Sequence, residues 1–173
     1  KAVWFEGRID EVVIYNRALS AEEIRQVYIG PWRFSHMWGG AGTGDGQFSG
    51  PHALAVAKNG QVFVADTGNH RIQVFEADGT FVGKWGSFGS GDGQFNSPYG
   101  ISLAPDGKVF VADCLNSRIQ VFEADGTFVR KWGSLGSGEG QFRCCGCVVV
   151  GPDGLVYAGD VHVLQVYPDV MGG

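Results

Sequence analysis

The chain has 173 residues, 44% of them hydrophobic, a formal net charge of −5 and 29 glycines. These figures allow one ordinary packed domain and argue against disorder, while glycine without a three-residue period excludes collagen. No apolar run is long enough to span a bilayer, and the 13 Lys and Arg residues form no cluster, which disfavours nucleic acid as a partner. There is no signal-peptide pattern at Lys1, and with no Met start its absence says nothing about the compartment of the parent protein.

Taken in order, residues 1–30 stand apart from the rest. Val3 to Phe5 and Val12 to Tyr15 are strand-forming, separated by the turn Glu6, Gly7, Arg8. Ser20 is an N-cap with Glu23 completing a capping box, and Ile24, Val27 and Tyr28 give one apolar face, so a helix is predicted over 20–29, stopped by Gly30 and Pro31. The run Phe5, Gly7, Ile9, Asp10, Glu11, Val12, Ile14, Tyr15, Asn16, Arg17, Ala18, Leu19, Ser20, Glu22, Glu23, Ile24 resembles the closing strand and helix of a laminin G-like, concanavalin A-like sandwich. The resemblance implies that residues 1–30 are the tail of such a domain.

From Trp32 onward the chain is periodic. The block Gly60 to Gly86 recurs as Gly107 to Gly133, and Arg71 to Val82 is repeated letter for letter as Arg118 to Val129. Trp38, Trp85 and Trp132, each followed by Gly, mark the period, as do Phe48, Phe95 and Phe142 after Gly-Gln. A unit of this size buries its apolar faces by stacking on its neighbours. Each copy reads as four short strands. In the second copy these are Gly100 to Ala104, Lys108 to Asp113, Arg118 to Glu123 and Thr127 to Trp132, with Asp106-Gly107 and Asp125-Gly126 as two-residue hairpin turns. Val109 to Ala112 is apolar without alternation, which calls for burial on both faces and favours a propeller blade over an isolated sandwich. The expected layout is an all-β, incomplete β-propeller over 31–173: an outer strand at 33–38, blades at 51–86 and 98–133, and a partial blade at 145–169.

Pro98, Gly100, Ile101, Gly107, Val109, Val111, Ala112, Asp113, Asn116, Arg118, Ile119, Gln120, Val121, Phe122, Gly126, Trp132 and Gly133 resemble the NHL repeat. The first blade departs at Ala53, and the third has Cys145 and Cys147 in place of the Pro and Gly and lacks the Asn and Arg. The resemblance implies a propeller that is six-bladed in complete members and serves as a scaffold for protein, RNA or other ligands. With the laminin G-like tail it implies an extracellular or cell-surface protein.

Three of the five differences between the two blocks fall in one loop, Thr67, Gly68, His70 against Cys114, Leu115, Ser117. Loops on a rigid scaffold carry binding surfaces, so the ligand face is expected there, with Asp66, Asn69, His70, Arg71, Asp113, Asn116 and Arg118 as candidates. Exact repetition of the Asp, Asn and Arg favours a tie between loop and blade over ligand contact; His70 is not repeated and is the better candidate for a contact. Gly44 to Gly46 and Gly91 to Gly93 each carry one carboxylate, too few for calcium, and read as flexible loops. No metal or cofactor motif is present. Cys114 falls at the same end of the blades as Cys145 and Cys147, so a disulfide to one of these is open, with free thiols the competing reading. The periodic tryptophans read as packing between blades ahead of a carbohydrate platform.

The function expected is a non-catalytic binding or scaffold module for a protein or carbohydrate ligand, with a homodimer as one way to close the ring. The alternatives are part of a propeller enzyme, a metal-dependent lyase or lactonase-like centre near His52, and an RNA-binding propeller.

Overall fold

The computed structural model describes residues 37–160 and 163–168. The expected hairpin, the helix over 20–29, the laminin G-like tail and most of the outer strand at 33–38 lie outside the described residues. So do His36 and His162.

Among the described residues, two antiparallel sheets of four strands and one of three follow each other, each in simple meander order. The first blade contains β1 (Pro51–Val56), β2 (Val62–Asp66), β3 (Arg71–Phe75) and β4 (Phe81–Trp85). The second contains β5 (Pro98–Leu103), β6 (Val109–Asp113), β7 (Arg118–Phe122) and β8 (Phe128–Trp132). After a short parallel pair, β9 (Ser134–Leu135) with β10 (Gln141–Phe142), the third blade contains β11 (Cys147–Val150), β12 (Val156–Gly159) and β13 (Leu164–Tyr167). Neighbouring blades meet through their first strands, β1 beside β5 and β5 beside β11. These are consecutive β-propeller blades.

β2 and β6 are buried at every position, as is required of strands with a blade on each side. The joint between the first two blades is made by Phe63, Ala65, Ile72 and Val74 on one side and Ile101, Val109, Val111 and Phe122 on the other. The joint to the third blade repeats this with Phe110, Ala112, Ile119 and Val121 against Val148, Val156 and Ala158.

Two local expectations are corrected. The Asp-Gly hairpins are not two-residue turns: the Ala104 N–H donates to the Lys108 carbonyl around one and the Glu123 N–H to the Thr127 carbonyl around the other, and within them only Gly107 (φ +94°) and Gly126 (φ +90°) have positive φ. This is a type I turn followed by a left-handed glycine, which spares Asp106 the strained conformation that a type I′ turn would impose. The first strand of the second blade also begins earlier than Gly100, at Pro98, because a bulge between Pro98 and Gly100 lets Pro98 pair with Asp113.

The repeated tryptophans are packing residues. Trp85 lies 5.9 Å from Phe122 and against Gly126 of the next blade, and Trp38 lies 6.4 Å from Phe75 and against Gly79. A Cβ at Gly126 would come within 2.8 Å of the Trp85 ring, so close approach as well as positive φ (+90°) requires glycine there. Trp85 and Trp132 are half-buried in these joints, and Trp38 is 38% exposed.

Candidate functional site: the loop end of the blades

The loops joining β2 to β3 and β6 to β7 are single 3-10 turns, Thr67–Asn69 and Cys114–Asn116, each closed by a left-handed residue, His70 (φ 54°) or Ser117 (φ 52°). Beside them run the Gly-rich connections that lead into each blade. Together they form one end of the blades; the Asp-Gly turns form the other.

Asp66 is fully buried beneath this surface. Its Oδ1 accepts from the Ser49 N–H at 2.8 Å, and its Oδ2 accepts from Arg71 Nε at 2.8 Å, Asn69 Nδ2 at 2.9 Å and Gln73 Nε2 at 3.0 Å. The remaining guanidinium N–H groups of Arg71 donate to the carbonyls of Thr43, Gly44 and Gln47 at 2.7 to 2.9 Å. The planar fork of Arg therefore clamps the incoming connection onto the blade, which a lysine point charge could not do.

The second blade repeats the clamp. Asp113 accepts from Asn96 N–H, Arg118 Nε, Asn116 Nδ2 and Gln120 Nε2, and Arg118 donates to the carbonyls of Ser90, Gly91 and Gln94. In the third blade Asp160 still accepts from the Arg143 and Cys144 N–H groups, but Val163 stands where the Arg would be.

Asp66, Asn69, Arg71, Asp113, Asn116 and Arg118 thus tie loop, connection and blade together. The carboxylates are 0% and the arginines 6% exposed, and their hydrogen-bonding groups are turned inward. The Gly-rich connections are likewise not loose: Gln47 and Gln94 cap them from within, and Asp45 pairs with Lys84 as Asp92 does with Lys131. His70 is also engaged, its Nδ1 accepting from the Ser97 N–H at 3.0 Å and its ring lying 5.0 Å from Phe88.

The cysteine expectation is corrected too. Cys114 is bonded to Cys144, with Cα atoms 4.6 Å apart, and not to Cys145 or Cys147. Cys145 points into the joint between the second and third blades, where burial pushes its thiol up to about 12. Cys147, on β11, is exposed.

Three large apolar side chains are exposed at this end: Phe88 at 67%, Leu115 at 60% and Leu135 at 75%. Phe88 and Leu135 occupy one repeat position, filled by Ala41 one copy earlier. The signal that could have found them is that this position, next to a repeated glycine, changes size between copies. His52 lies near the start of β1, where Pro51 pairs with Asp66, with its ring 4.1 Å from that of Tyr99. Among the described residues no group of three or more His, Cys, Asp and Glu side chains converges to hold a metal.

The NHL repeat model matches residues 48–75 and 95–122, from the aromatic of each connection to the end of each third strand. Two segments of the chain thus match the NHL repeat. It is 47% identical over 47 residues to NHL repeat-containing protein 3 of Homo sapiens, covering 26% of this chain and 14% of that protein. It is 50% identical over 44 residues to the B-box type zinc finger protein ncl-1 of Caenorhabditis elegans, covering 25% of this chain and 5% of that protein. Protein brain tumor of Drosophila melanogaster is 46% identical over 44 residues, 25% of this chain and 4% of that protein. The chain thus spans a small part of the length of these relatives. Among solved structures, a gluconolactonase from Xanthomonas campestris superposes with a TM-score of 0.56 at 17% identity, over 75% of this chain and 47% of that one. Hydrazine synthase of Kuenenia stuttgartiensis gives 0.55 at 13% identity, over 75% of this chain and 36% of that one. At these identities the likeness is one of fold.

Proposed function

We propose that these NHL blades form a non-catalytic binding scaffold, which docks a partner protein against its loop end through Phe88, Leu115 and Leu135. The observation that carries this reading is the combination of exposed apolar side chains with a connection, the one carrying Phe88, that Arg118 clamps from below. Apolar side chains held on rigid backbone lose little entropy on docking, which is what an interface anchor needs. A net charge of −5 remains unfavourable for RNA. An extracellular or cell-surface setting fits the Cys114–Cys144 disulfide, because such bonds persist in oxidising compartments, and it fits the laminin G-like resemblance of residues 1–30.

The test is selection of displayed peptides on the immobilised chain, followed by titration against variants. Peptides docking at the loop end should lose about tenfold or more in affinity on Leu115→Asp or Phe88→Asp, with the melting temperature unchanged. Peptides that bind both variants as tightly as the parent would remove this face from consideration.

A further inference from the structure

The loop end changes character from one joint to the next. Where the loop of the first blade meets the connection entering the second, three repeat positions hold Gly68, Phe88 and Asn96. Where the second blade meets the third, the same positions hold Leu115, Leu135 and Arg143, all three exposed.

The backbone brings this second set together. Cys114, next to Leu115, is bonded to Cys144, next to Arg143. From the same loop Ser117 Oγ donates to the Arg143 carbonyl at 3.5 Å. Leu135 is paired with Phe142, the residue before Arg143. The strip continues to Phe88, whose neighbour Gly89 accepts at 2.8 Å from Asn116, the residue after Leu115.

Arg143 is the cation that the fold leaves unengaged here. Lys84 and Lys131 are paired with Asp45 and Asp92, and Arg71 and Arg118 are held in the clamps. Asp160 accepts from the backbone N–H groups of Arg143 and Cys144. Among the described residues nothing forms a hydrogen bond or ion pair with the Arg143 guanidinium. Glu139 holds the repeat position of Asp92, whose partner Lys131 lies on a fourth strand, whereas Arg143 stands close to the start of β11, a first strand.

We infer that this strip takes an acidic peptide, a partner segment whose apolar side chains rest on Leu115 and Leu135 while an adjoining Asp or Glu carboxylate pairs with Arg143. The assignment rests on the docking face proposed above and adds the chemistry of the partner. The planar guanidinium fork matches a carboxylate, and apolar neighbours that exclude water strengthen such a pair. The net charge of −5 acts weakly against it, because exposed charges more than about 8 Å away are screened at physiological salt. One arginine between two leucines is a poor match for nucleic acid, whose affinity comes from several phosphate contacts.

The experiment reads the sequences of peptides selected by display on the parent chain. Those that lose about tenfold or more on the neutral variant Leu115→Ser should carry Asp or Glu beside their apolar residues. For one such synthetic peptide, Arg143→Gln in the chain and replacement of the peptide carboxylate by its amide should each weaken binding about fivefold to tenfold. The two changes together should weaken it hardly more than either alone, which marks a direct contact. Leu115 and Arg143 are exposed, so the melting temperature of both variants should match the parent. Peptides that respond to Leu115→Ser but lack an acidic residue, or ignore Arg143→Gln, overturn the inference and leave the docking face standing. So does an oligouridine that binds more tightly than the peptide and is lost on Arg143→Gln, which would make the strip a phosphate site. A selection that yields no peptide responding to Leu115→Ser overturns the docking face and the inference together.

Discussion

Cys114 is bonded to Cys144 at the point where, one blade earlier, the Thr67 hydroxyl donates to the Pro98 carbonyl at 2.6 Å. In both places the loop after the second strand of one blade is fastened to the connection entering the next. The third blade lacks the Arg of the clamp, having Val163 instead, and the disulfide ties it to its neighbour covalently.

Reduction should therefore act locally. Closing a loop between residues 30 apart contributes roughly 3–4 kcal/mol by constraining the unfolded chain, so Cys144→Ser or added reductant should lower stability by about that amount. Hydrogen exchange measured by mass spectrometry should rise first in β11–β13 and leave β2 and β3 protected. Equal acceleration across all three blades would contradict a local staple.

Replacing Arg118 by Met leaves Asp113 buried with its charge uncompensated. Removing one partner of such a pair costs about 3–5 kcal/mol, and Arg118→Lys should recover little of it, because a single ammonium cannot reach three carbonyls at once. Urea unfolding of both variants checks this; a loss below about 1 kcal/mol would show that the clamp is not structural.

Gly107 and Gly126 separate two costs of adding a side chain. Both have positive φ, +94° and +90°, but nothing lies near the Cβ position of Gly107, whereas the Trp85 ring lies 2.8 Å from that of Gly126. Gly107→Ala should cost about 1 kcal/mol from backbone strain alone. Gly126→Ala should cost more and shift the Trp85 fluorescence, which the first variant should leave unchanged.

The two free thiols should differ in reactivity and in their effect on stability. Native protein at pH 8 should expose one fast thiol, Cys147, and unfolded protein a second, Cys145. The folded pKa of Cys145 is raised by burial to about 12, so the unfolded state loses its proton first as pH rises. Its contribution to stability is thus complete below the ordinary thiol range and declines from about pH 9 to about pH 12. Chemical denaturation across that range on Cys145→Ser and parent should show a smaller decline in the variant.

The sequence by itself determined the blades. Apolar four-residue runs, Asp-Gly turns and a fixed spacing between tryptophans are local or periodic signals, and they placed β2, β3, β6, β7 and the burial of Val109 to Ala112 correctly. It could also see that Asp, Asn and Arg recur at the loop end. Only the tertiary structure decided what they do. Whether a carboxylate faces solvent or a neighbouring N–H depends on the path of a connection lying well apart in sequence, as with Asp66 and Ser49 or Asp113 and Asn96. The same holds for the choice of Cys144 over Cys145, which turns on one residue of register: adjacent side chains near a strand point to opposite sides, one toward Cys114 and the other into the joint. The exposure of Leu54 and Leu164 is likewise a property of packing, since their equivalents Ile101 and Ile119 are equally apolar and buried.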